Sequence, residues 1–97
     1  MNSVDVIEKM LKKISADAQV DGMDYIYWWE SCDQLLHLFV ACVLDEDPLA
    51  REVVKSLHRA LKVVGFTTAH MLVKSYVEPL SAVDRKRVFV ELGRPLN

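Results

Sequence analysis

Residues 24–45, DYIYWWESCDQLLHLFVACVLD, decide the fold. Tyr25, Trp29, Cys32, Leu36, Phe39 and Val43 recur at spacings of four and three, which places them on one stripe of an α-helix. Trp28, Leu35, Leu38 and Cys42 form a second stripe beside the first, and only Glu30, Gln34 and His37 keep a narrow strip polar. A helix that is apolar around most of its circumference sits between neighbours. The stretch therefore predicts the central helix of a small bundle, with the seam of a dimer as the other arrangement that satisfies it.

The flanking sequence supplies partners of the same kind. Upstream, Val4, Ile7, Leu11, Ile14 and Ala18 keep a three-four spacing that predicts a helix over 4–18, with Asn2 or Ser3 as its cap. Asp5 with Lys9 and Glu8 with Lys12 stand four apart in the favourable order on its exposed face. Asp21-Gly22 breaks the pattern.

Downstream, Asp47-Pro48 pairs a capping side chain with a proline at the first helical position. The helix this predicts runs to Val64, buries Ala50, Val53, Val54, Leu57, Ala60, Leu61 and Val64, and ends in a left-handed Gly65. A fourth helix over 67–77 stops before Pro79. Ser81 and Asp84 resemble a capping box that opens a short last helix ending at Gly93. No stretch alternates with period two long enough for a sheet. Ninety-seven residues suit one core, so the expectation is a single all-α domain, 1–97, of four or five helices.

Composition narrows the class. Apolar residues make up 52% of the chain and charged residues 27%. The apolar share is slightly high for so small a domain, and some of that surface is expected to meet a partner or a second copy of the chain. The longest apolar run, 35–44, is ten residues and contains His37, far short of the ~20 that a spanning helix needs. Asp5, Glu8 and Lys9 interrupt the start of the chain where a secretory signal would be uniformly apolar. A cytoplasmic location is the expectation. Cys32 and Cys42, ten positions apart on one helix, stand about 15 Å from each other at 1.5 Å per residue and do not pair there. They read as buried thiols.

Charge is distributed unevenly. Residues 1–47 hold three bases against ten acids, a net −7, and residues 48–97 hold nine bases against four acids, a net +5. Arg51, Lys55, Arg59 and Lys62 recur along one edge of the third helix. Such a row suits the solvated back of an amphipathic helix, and it equally suits an electrostatic docking surface for an acidic protein partner. Tyr25, Ile26, Tyr27, Trp28 and Trp29 form an aromatic cluster whose adjacent tryptophans point about 100° apart on a helix. One of them is therefore harder to cover, and Tyr27 and Trp28 are the expected contact residues if the cluster binds a partner rather than filling the core.

Other chemistries find little support. Cys32, His37 and Cys42 are five apart and diverge around a helix, unlike zinc ligands at three or four, and Asp45-Glu46-Asp47 lacks the glycine and spaced oxygens of a calcium loop. No phosphate loop, nucleophile elbow or carboxylate pair is recognisable. The expectation is no enzyme, no cofactor and no metal. Residues 60–77 resemble a helix-turn-helix, but its second helix offers one lysine and no Arg, Asn or Gln to read base edges, and the net charge of −2 opposes phosphate binding.

In size and character the chain resembles the compact helical antagonists of bacteria and phages, such as anti-activators that occlude a transcription factor; this analogy assigns no residues. The reading that results is a non-catalytic regulator, expected to be a homodimer, that inhibits or sequesters a partner protein (a transcriptional regulator fits) through Tyr27, Trp28, Arg51, Lys55, Arg59 and Lys62. A structural scaffold or secretion chaperone, and a small DNA-binding module, are the alternatives.

Overall fold

The computed structural model describes residues 3–14 and 22–93. It contains five helices: α1 (Ser3–Ile14), α2 (Gly22–Leu44), α3 (Ala50–Val64), α4 (Phe66–Val77) and α5 (Ala82–Leu92), with no strand among the described residues. The predicted continuation of the first helix to residue 18 and its cap at Asn2 lie outside the described residues, and Ser3 is the first helical residue rather than a cap.

All seven residues expected on the inner face of α3 are buried. α3 packs against each of the other four helices, and its contact with α2 is the most extensive in the molecule. α2 also packs on α4 and α5. Ile7, Leu11, Leu36, Phe39, Leu57, Leu61 and Val88 meet in a core that holds no buried polar or charged side chain among the described residues. Each such large apolar side chain contributes about 1.5–3 kcal/mol when removed from water.

The α2–α3 turn is closed from both sides. Glu46 takes a positive φ of 57°, its N–H bonds the Val43 carbonyl at 3.1 Å, and the Asp47 N–H bonds the Cys42 carbonyl at 2.8 Å. These are the two bonds of a Schellman stop, with a glutamate where glycine is usual. The expected cap follows at once. Regular helix begins at Ala50, but Leu49 is already helical and its N–H donates to Asp47 Oδ1 at 2.9 Å, so Asp47 caps the tight turn through Pro48. At the other end of α3, Gly65 has φ 89° and ψ 165° rather than the expected left-handed pair. That mirror-extended conformation belongs to glycine, and it breaks the helix in one residue so that α4 starts at Phe66.

Two ties fix α2 beside α4. Tyr25 Oη and Thr68 Oγ1 share a hydrogen bond of 2.7 Å, and Tyr76 Oη donates to Asp33 Oδ1 at 2.8 Å. Both pairs are 43 residues apart, so eight residues of advance on α2 match eight on α4 and the two helices run parallel. α5 opens as expected, with Ser81 Oγ accepting from the Asp84 N–H at 3.2 Å.

Candidate partner-binding face

The two apolar stripes of α2 are covered unequally. Cys32, Leu36, Phe39 and Val43 are buried, but the second stripe is covered only at Cys42. Trp28 and Leu35 are half-buried and Leu38 is 44% exposed. Trp29 and Tyr25 are half-buried as well. Among the described residues, the packing of α3, α4 and α5 on α2 leaves the flank with Tyr27 and Leu38 exposed.

On that flank the ring of Tyr27, 62% exposed, stands edge-on to Trp28 with centroids 5.3 Å apart. The two aromatics open a shallow groove of about 400 Å³ that continues over Ser31, Leu35 and Leu38 to the α3 wall, where Ser56 and Arg59 face it. Aromatic bodies with polar tips, beside a guanidinium that can make two parallel bonds, are the chemistry by which one protein grips another.

The basic row only partly converges on this groove. Arg51, Lys55, Arg59 and Lys62 are all exposed. Arg59 lines the groove with Tyr27 and Trp28, whereas Arg51 lines a different one, of about 650 Å³, beside Pro48, Arg87 and Glu91. Lys55 Nζ lies 3.5 Å from Glu52 Oε1, and Lys62 lines neither. A row at steps of four turns about 40° per step, so Arg51 and Arg59 diverge by about 80° across two turns. Ser31, Gln34, Leu35, Leu38 and Ser56 were not foreseen as lining residues. The signal was present in the row 27, 31, 34, 38, which keeps helical spacing from Tyr27.

Neither the cysteines nor the histidines line the groove of Tyr27 and Trp28. Cys32 is buried, and burial followed by the Asp33 charge pushes its thiol up to about 12. Burial, then Asp47 and Asp45, raises Cys42. The three histidines have separate neighbours: His37 lies against Tyr76, His70 against Phe66, and His58 Nε2 is 2.6 Å from the Leu92 carbonyl oxygen. Among the described residues no three His, Cys, Asp or Glu side chains are grouped to hold a metal ion. No described helix is long and apolar enough to cross a membrane.

The helix-turn-helix resemblance meets a geometric difficulty. That motif separates its helices by a turn of three or four residues, whereas Gly65 alone separates α3 from α4. Within α4, Ala69, Leu72 and Val73 are buried and Thr68 is bonded to Tyr25.

What fold and face define is a five-helix all-α bundle with an aromatic groove edged by arginine. No family model, curated protein or solved structure matches the chain.

Proposed function

We propose that the protein is a non-catalytic regulator of the cytoplasm that binds a partner protein through the α2–α3 face and inhibits or sequesters it, as an anti-activator occludes a transcription factor. The observation that supports this is the exposed Tyr27 ring standing on Trp28, next to Leu38 and facing Arg59. Tyrosine, tryptophan and arginine dominate the energetics of protein interfaces. Arg59 and Lys55 then add attraction for acidic surfaces, which acts chiefly on the association rate.

The test is affinity capture from the source cell with wild type beside Tyr27→Ala, Leu38→Glu and Arg59→Glu, all at exposed positions. A protein recovered by wild type and lost by all three variants supports the proposal. One recovered equally by all four sinks it. Once the partner is in hand, Lys55→Glu with Arg59→Glu is expected to slow association and flatten its salt dependence.

Self-association is the second reading, favoured by the run of Tyr27, Ser31 and Leu38 along one helix, which an antiparallel copy of itself can meet. Light scattering across a dilution series distinguishes it. A dimer that becomes a monomer with Leu38→Glu assigns the face to the second copy.

A further inference from the structure

A second groove, of about 830 Å³, lies between α1 and α5 and shares no residue with the α2–α3 face. Its floor is apolar, made by Val6 and Met10 of α1 and by Phe89 and Val90 of α5, with Val90 51% exposed. Its rim is cationic on both walls. Lys9 and Lys13 stand one turn apart on α1, while Arg85 and Lys86 stand one turn before Phe89 and Val90 on α5. No acidic side chain lines it among the described residues.

The cations differ in what they have left to offer. The Arg85 guanidinium donates to the carbonyls of Val77 at 3.1 Å, Glu78 at 3.1 Å and Leu80 at 2.9 Å, so it supplies a fixed charge at the end of α4. Lys13 Nζ is 3.4 Å from the Gly93 carbonyl oxygen, which leaves two of its three donors. Lys9 and Lys86 are exposed. Asp5, four residues before Lys9, does not come within ion-pair distance of it, whereas Glu8 and Lys12 meet at 3.5 Å.

We propose that this groove binds an amphipathic α-helix of another protein, one whose apolar ridge is flanked by acidic side chains. The argument is charge complementarity joined to shape. An apolar trough between two helices accepts the ridge of a third helix, and among the described residues no sheet edge is present to recruit an extended strand. Lysines one turn apart on α1 repeat about every 6 Å, the spacing of carboxylates three or four apart on a helix lying alongside. The trough lies open between two helices, a form suited to a helix laid along it.

The probe is a fluorescein-labelled, end-capped peptide of about 18 residues, long enough for partial helicity. It carries leucines on one stripe and glutamates on both flanks, and is titrated with the 97-residue chain by anisotropy. Saturable binding is expected. Lys9→Glu with Lys86→Glu, and separately Val90→Asp, should each weaken it about tenfold or more, the equivalent of about 1.4 kcal/mol. Tyr27→Ala and Arg59→Glu should leave it unchanged, which keeps this groove independent of the α2–α3 face.

All these positions are exposed, and a circular dichroism melt checks that each variant folds. Lys9→Gln with Lys86→Gln gives a milder loss by the same logic. Equal affinity for a peptide with lysines in place of the glutamates overturns the proposal. So does binding to phosphatidylglycerol vesicles without binding to the peptide, or a self-association that the Lys9 and Lys86 changes abolish.

Discussion

Tyr76 donates its phenolic hydroxyl to Asp33 Oδ1 at 2.8 Å, across 43 residues of sequence. Burial, then the Asp33 hydrogen bond and charge, push the Tyr76 hydroxyl up to about 12. The bond holds α4 in register with α2 next to the buried Cys32.

Tyr76→Phe removes one bond to a charged acceptor while leaving the ring, and should cost about 1–2 kcal/mol in urea unfolding at neutral pH. The raised pKa has its own signature. Folding favours the protonated phenol, so this stabilisation is complete below the unfolded value of about 10 and is lost as pH rises toward 12. Tyr76→Phe should lose the part of the alkaline decline that begins near pH 10. The earlier part, set by the Cys32 thiol rising from 9.0 to about 12, should remain.

Gly65, buried at φ 89° and ψ 165°, joins two helices by itself. A Cβ is strained in that region, so Gly65→Ala should destabilise by about 1–3 kcal/mol. A fall in the urea midpoint at unchanged m-value is the expected result.

Glu46 occupies a positive-φ position that suits glycine better. Glu46→Gly should raise stability by about 0.5–1 kcal/mol, even though it removes the exposed 3.4 Å ion pair with Arg87, because such pairs are worth little. Thermal melts of the variant and wild type decide the sign.

His58 Nε2 donates to the Leu92 carbonyl and ties α3 to the end of α5. Burial lowers the pKa of the ring from 6.5, more than the carbonyl raises it. The native state therefore favours the neutral ring, and stability present above about pH 6.5 is lost as pH falls below it. His58→Gln keeps a donor without this titration, and its urea midpoint should decline less than that of wild type between pH 7 and 5.

The parts of the fold that were legible are those written in short-range patterns. α3 repeats its apolar positions at the helical period without interruption, and Asp47 and Ser81 announce their turns within three residues. The apolar circumference of α2 was legible too, but periodicity does not say how many neighbours arrive, and here one flank stays open at Tyr27 and Leu38. Gly65 marked a helix end without specifying which positive-φ conformation it adopts. Of the expected contact residues, Tyr27, Trp28 and Arg59 meet because α2 and α3 are adjacent in sequence and packed together. Arg51 and Lys62 diverge with the rotation of the helix. The ties of Tyr76 to Asp33 and of Arg87 to the Val43 carbonyl at 3.0 Å span 43 and 44 residues and leave no local trace.

A core without buried polar side chains among the described residues has a consequence of its own. Apolar side chains fix a register only through the fit of their shapes, without the directionality of a hydrogen bond. Directional ties come from the periphery, through Tyr25 with Thr68, Tyr76 with Asp33, His58 with Leu92 and Arg87 with Val43. Removing these four clasps together is expected to leave the helices and the apolar cluster in place but to loosen their register, read as a lower urea midpoint and added dye binding.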